Sequence, residues 1–215
     1  MKTYAFIDAS NLFYGGRKTL GWSIDHEKLM KYLKERYQVN QMYYFGGVKI
    51  DHFPFDYLKY DTVPLEEVAE YMMRRMKEKD KFLNDIQLEL LYRRLGRIRF
   101  FQKLEKFGYT LVLKPVKVYE NSGFDDVPKQ KANCDVDMTL YMLKEQSMFD
   151  RALILSGDGD FLPVMKFLKN NKKDILVLAR SPKTAREIKR FAGDKFMDFD
   201  YLRERLQRTD MEIKP

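Results

Sequence analysis

The chain has 215 residues, 45% of them hydrophobic and 33% charged, and its 40 Lys and Arg against 32 Asp and Glu give a formal net charge of +8. So apolar a chain can offset the entropy of ordering, which excludes global disorder, and 11 Gly with 7 Pro exclude a collagenous or low-complexity polymer. The single cysteine, Cys134, excludes an intramolecular disulfide and a cysteine-only zinc site.

Thr3 to Ile7 is a short apolar run with the length and composition of a buried strand. Asp8 breaks it where a secretory signal needs an unbroken apolar core. No stretch reaches the ~18–20 apolar residues of a membrane span, so the expectation is a cytoplasmic protein with no membrane partner. Asp25 is positioned to cap a helix from His26 to Arg36, with Leu29, Met30 and Leu33 on one face. Gln41 to Phe45 reads as a second strand, stopped by Gly46-Gly47. Residues 51–98 differ, being dense in charge, with helix-spaced apolar positions at Leu65, Val68, Tyr71 and Met72, then at Phe82, Ile86, Leu90 and Leu91. They read as an inserted element of two amphipathic helices, with a hairpin near Asp80 to Asn84, within one domain spanning residues 1–215.

Arg99 to Lys106 continues as helix and Gly108 stops it. Tyr109 to Val118 is a strand interrupted at Pro115, and 119–132 is a polar loop. From there helices at Val136–Gln146, Phe161–Lys169 and Pro182–Phe191 alternate with strands at Ala152–Leu155, Ile175–Leu178 and Phe196–Phe199, before a last helix at Tyr201–Arg208. Such alternation implies an α/β fold with a central parallel sheet and helices on both faces.

The carboxylates fall at telling places. Asp8 follows the first strand, Asp158 and Asp160 follow the strand 152–155 within Ser-Gly-Asp-Gly-Asp, and Asp135 and Asp137 stand at a helix start. Ligands of open parallel sheets bind beyond the carboxyl ends of the strands, so acids about 150 residues apart converge on one edge. Clustered carboxylates repel one another unless a cation neutralises them, and a hard divalent ion does so through oxygen ligands. Caps and turns explain any one of these acids; their shared edge points to a metal site.

Phe6-Ile7-Asp8-Ala9-Ser10-Asn11-Leu12 resembles the opening motif of NYN domains, in the LabA-like branch of the PIN-like nuclease superfamily. Lys131-Ala132-Asn133-Cys134-Asp135-Val136-Asp137 and Leu155-Ser156-Gly157-Asp158-Gly159-Asp160-Phe161 resemble two later motifs of that family, in the same order. The resemblance implies a PIN-like, Rossmann-like sheet and a metal-dependent nuclease, an endoribonuclease acting on RNA with Mg²⁺ or Mn²⁺ held by Asp8, Asp137, Asp158 and Asp160. Asn11 would assist beside Asp8, and Asp135 is an extra acid that competes with Asp137 for the leading role. DNA stays open as a substrate, and the resemblance leaves room for a homodimer. The competing reading is a non-catalytic RNA-binding or protein-interaction module on the same fold.

A polyanion beside an acidic site needs basic residues outside it. Arg17 and Lys18, Lys129 and Lys131, and Arg180 and Lys183 flank the motifs, and residues 161–215 hold 14 Lys or Arg against 8 Asp or Glu. Phe13, Tyr14 and Trp22 are candidate stacking positions, although aromatics at such spacings are more often core. His26 and His52 lack paired ligand spacing, and Cys134 has no histidine near it in sequence to activate a thiol nucleophile.

Overall fold

A computed structural model of the chain describes residues 1–13, 21–77, 84–119, 129–132 and 134–208. In chain order its elements are β1 (Thr3–Asp8), α1 (Ala9–Phe13), α2 (His26–Tyr37), β2 (Val39–Val48), α3 (Leu65–Lys77), α4 (Asp85–Phe107), β3 (Thr110–Pro115), β4 (Lys117–Tyr119) and β5 (Lys129–Lys131). Then come α5 (Asp135–Lys144), β6 (Arg151–Leu155), α6 (Leu162–Asn170), β7 (Asp174–Ala179), α7 (Arg186–Ala192), β8 (Phe196–Asp198) and α8 (Arg203–Leu206). The chain clusters into two compact units, one of Met1–Phe45 with Asp135–Pro215, the other of Gly46–Cys134.

In the first unit β2, β1, β6, β7 and β8 lie side by side in that order, all pairings parallel, as part of a six-stranded sheet. Their near-continuous apolar sequences are what strands buried on both faces require. Successive residues of β2 meet different helices. Tyr43 and Phe45 receive the edge of Tyr141 on α5, at 5.1 and 5.6 Å, while Tyr44 lies 6.2 Å from His26 at the start of α2. Alternation along the strand therefore puts helices on both faces, and the fold is α/β as expected. Phe6 anchors the α5 side, stacked on Tyr43 at 5.6 Å and edge-on to Phe149 at 5.7 Å. Asp8 shares the parity of Tyr4 and Phe6, on the strand face that meets α5.

Asp25 caps α2 by accepting from the N–H groups of Glu27 and Lys28. The C-terminal segment closes on the same corner, where Asp25 N–H donates to Leu206 O and Arg208 N–H to Ser23 O, both at 2.8 Å. Pro182 starts a single 3₁₀ turn, Ser181–Lys183, and not the expected helix. Thr184 is extended because its hydroxyl donates to Arg180 O and the next N–H, of Ala185, donates to Gly157 O. Those tertiary bonds delay the helix to Arg186. The expected last helix is likewise a 3₁₀ turn, Phe199–Leu202, followed by the short α8.

In the second unit Gly46-Gly47 continue β2 and do not stop it. A Cβ at Gly47 would lie 2.5 Å from that of Ala132, so close approach explains the glycine. The segment expected as a polar loop contains β5, paired antiparallel with β4. The hairpin expected at Asp80–Asn84 falls, Asn84 excepted, outside the described residues, as does Phe82. Asn84 itself forms a capping box with Gln87, and Gly108, at φ 100°, ends α4. Leu91, Leu95, Ile98, Phe101 and Leu104 form the buried stripe of α4, whereas Ile86 and Leu90, expected inward, are exposed. Apolar residues stand all round this helix, so spacing alone does not select its inner face.

Phe6 is fully buried. Phe6→Ala should lower stability by about 3–5 kcal/mol in urea unfolding. Burial raises the Asp174 carboxyl, but hydrogen bonds from Lys195 and from Arg151 Nε (2.7 Å) outweigh it and hold the group below its ordinary value. This contribution is present above the unfolded-state value of about 3.9 and is lost as pH falls through the lower folded value. Asp174→Asn should therefore melt below wild type at neutral pH, with the gap closing as the pH drops below about 3.9.

Candidate functional site

β1 leads into β2 on one side, and β6 leads through β7 to β8 on the other, so the connections diverge between β1 and β6. Crevices at such switch points bind ligands. Ile7 pairs with Leu155, which makes Asp8 and Ser156 the next residues of adjacent strands. Ser156 Oγ donates to Asp8 Oδ2 at 3.0 Å and accepts from Asp158 N–H at 3.2 Å. Asp8 Oδ1 accepts from Ser10 N–H (3.0 Å), Ser10 Oγ (2.7 Å) and Asn11 N–H (3.0 Å). Asn11 Oδ1 in turn accepts from Gly157 N–H at 2.9 Å. The first and third sequence motifs are thus joined directly through Asp8, Asn11, Ser156 and Gly157.

Asp8 is only 4% exposed, and its partners among the described residues are all neutral; no Lys or Arg there pairs with it. Buried charges are ordinarily paired with a cation or bound to a metal. One donor on Oδ2 leaves that oxygen a lone pair for a cation. Asp158 is half-buried, and its Oδ1 accepts from Asp160 N–H at 3.0 Å, starting the 3₁₀ turn Gly159–Phe161. Asp160 is exposed. Asp135 and Asp137 occupy the first turn of α5, both half-buried, and α5 packs against β1 and the 3₁₀ turn. The oxygen donor set fits Mg²⁺ or Mn²⁺. Among the described residues no group of three or more Asp, Glu, His or Cys is arranged as a ready cage.

The loop after β7 locks onto the loop after β6. A Cβ at Gly157 would lie 2.5 Å from Thr184 Oγ1 and 2.9 Å from its Cα, and one at Gly159 would lie 2.7 Å from Glu187 Oε1. Only glycine permits the first approach, since Thr184 backbone blocks it. Glu187 is an acid beside the Asp158–Asp160 loop that the sequence did not single out, and its signal is this glycine. Ser156 and Ser10 were also missed as individual partners, because their roles appear only once β1 and β6 are neighbours.

Arg180 directly follows β7 at this edge but is 8% exposed, with Nε 3.5 Å from Asp200 Oδ1. Asp198 Oδ1 accepts from Ser181 N–H (3.2 Å) and Asp200 N–H (3.1 Å), fixing that corner. Lys183 is exposed on the adjoining turn. Arg17, Lys18 and Tyr14 lie outside the described residues, and only the backbone of Lys129, Lys131 and Phe13 is described. Trp22 is core, 4% exposed and stacked on Phe199 at 6.0 Å. Cys134 is buried and free of any disulfide.

A solved structure of a protein of unknown function from Vibrio parahaemolyticus is similar in fold, with a TM-score of 0.57 at 16% identity, over 93% of this chain and 94% of that one. The chain is 23% identical over 207 residues to the low amplitude and bright protein LabA of Synechococcus elongatus, covering 95% of this chain and 87% of the relative. The NYN domain model matches residues 92–202, a stretch that holds Asp135, Asp137, Asp158 and Asp160 but begins after Asp8. With more than half of its length matched by that model, the chain belongs to the NYN domain family.

Proposed function

We propose that the chain is a metal-dependent nuclease that hydrolyses RNA phosphodiester bonds by internal cleavage. The observation that carries this reading is the buried Asp8 carboxylate at the junction of two strand ends, whose partners among the described residues are neutral donors. Membership of the NYN family and the oxygen-only donor set support it.

Asp8, Asp137 and Asp158 would hold Mg²⁺ or Mn²⁺, with Asp160 and Asp135 as further acids at the rim. The ion would supply an activated water and stabilise charge on the leaving oxygen. Ser10, Asn11 and Ser156 hold the Asp8 carboxylate in one orientation, so it does not have to reorganise when a cation arrives. Asn11 also tethers Gly157, keeping the Asp158 loop beside Asp8. Lys183, exposed after β7, is the proposed phosphate contact; Arg180 is buried beside Asp200 and less available for that role. No protein nucleophile is required.

Purified chain should cut labelled RNA with Mn²⁺ and stop in EDTA. Asp158→Asn and Asp8→Asn should reduce cutting to background while the melting curve of Asp158→Asn stays that of wild type. Equal cutting by Asp158→Asn and wild type overturns the mechanism. Ser156→Ala, which removes a partner of Asp8 and not the carboxylate, should lower activity about 10–100-fold, the range found when an outer partner of a metal ligand is lost.

A further inference from the structure

Residues 51–60, Asp-His-Phe-Pro-Phe-Asp-Tyr-Leu-Lys-Tyr, form no helix or strand, yet the second unit fixes them closely. Phe53 N–H donates to Ile50 O (3.1 Å), Phe55 N–H to Phe53 O (2.8 Å) and Tyr60 N–H to Asp56 O (3.0 Å). Asp56 Oδ1 accepts from Leu58 N–H at 2.8 Å. Two tyrosine hydroxyls pin the flanks. Tyr71 donates to His52 O at 3.1 Å, with its ring edge-on to Phe53, and Tyr60 donates to Glu67 at 2.7 Å.

Between these anchors the tip is left in water. Tyr57 is 53% exposed and Leu58 is 100% exposed. Phe55 stands edge-on to Tyr57 at 4.8 Å and lies 5.7 Å from Tyr60. Two ammonium groups lie beside the outer rings: Lys117 Nζ is 4.9 Å from the Tyr57 centroid, and Lys59 Nζ donates to the Tyr60 hydroxyl at 2.7 Å. Of the neighbouring acids, Asp51 pairs with Arg94; Asp56, Asp61 and Glu67 are exposed, with Asp56 accepting from Leu58 N–H and Glu67 from the Tyr60 hydroxyl.

A rigid, exposed group of aromatic rings costs little ordering entropy when a flat partner stacks on it. An apolar protein surface would have to desolvate Lys59 and Lys117 on docking, whereas a polyanion pairs with them. We propose that the 51–60 tip is a stacking platform for single-stranded RNA, with bases on Tyr57 and its neighbours and phosphates on Lys59 and Lys117. This rests on the nuclease reading for the choice of RNA, but not on metal or turnover. It gives the substrate a second hold, in a segment that lies before the stretch matched by the NYN model.

Fluorescence anisotropy on the full chain in EDTA, with a short labelled single-stranded RNA and the matching duplex, tests this without cleavage. Tyr57→Ala should weaken single-strand binding about 5- to 100-fold with duplex binding unchanged, and Tyr57→Phe should keep wild-type affinity. Lys117→Gln should lower the slope of log affinity against log salt by about 0.7. Three results overturn the proposal: unchanged single-strand affinity in Tyr57→Ala, equal losses for single strand and duplex, or no single-strand binding by wild type. Wild type that binds but does not cut with Mn²⁺ overturns the nuclease reading alone. Wild type that cuts, with Tyr57→Ala binding normally, overturns the platform alone.

Discussion

Two hydrogen bonds join the ends of β1 and β6, from Ser156 Oγ to Asp8 and from Gly157 N–H to Asn11, across 148 and 146 residues of chain. They follow from the parallel register, which puts Ile7 opposite Leu155 and leaves the next residue of each strand to meet beyond the ladder. A carboxylate at that point is shut off from water and takes its hydrogen bonds from the chain. Its partners among the described residues are neutral donors, which orient the charge without cancelling it. The acid edge therefore depends on the sheet first and on the individual aspartates second.

The strands were legible because parallel strands covered on both faces show as unbroken apolar runs, as at Tyr4–Ile7, Ala152–Leu155 and Ile175–Leu178. The positions of Asp8 and Asp158 at the carboxyl ends of β1 and β6 were legible for the same reason, since each lies where such a run ends. What escaped was set by tertiary contact. Pro182 carries a helix-start signal, but Ala185 N–H is drawn to Gly157 O and the helix waits for Arg186. Ser156 is one serine among several until its neighbour strand is known, and Glu187 becomes visible only through the space that Gly159 leaves.

The second unit shows the limit of periodicity from another side. Its long helix α4 carries apolar residues all round, so Ile86 and Leu90 fit a helical repeat as well as Leu91 and Leu95 do, yet only the latter pair is buried. The 51–60 segment shows no period at all, and its order comes from hydrogen bonds local to the loop and from Tyr71 and Glu67 on α3. Charge averaging hides a comparable contrast. The net +8 combines local acidic excess elsewhere with a basic C-terminal part, residues 161–215, that holds 14 Lys or Arg against 8 Asp or Glu.

The meeting of Gly157 with Thr184 has a consequence for how this molecule can change over evolutionary time. The Cβ of any larger residue at 157 would collide with the backbone of 184, so a change at 157 is tolerated only if the loop at 184 retreats. Retreat would break the Ala185–Gly157 hydrogen bond and shift the start of α7, and Glu187 with it. Gly157 can therefore be replaced only together with a new path for the 181–185 loop, and a change of length or of turn in that loop is the trace such a replacement would leave among descendants of this chain.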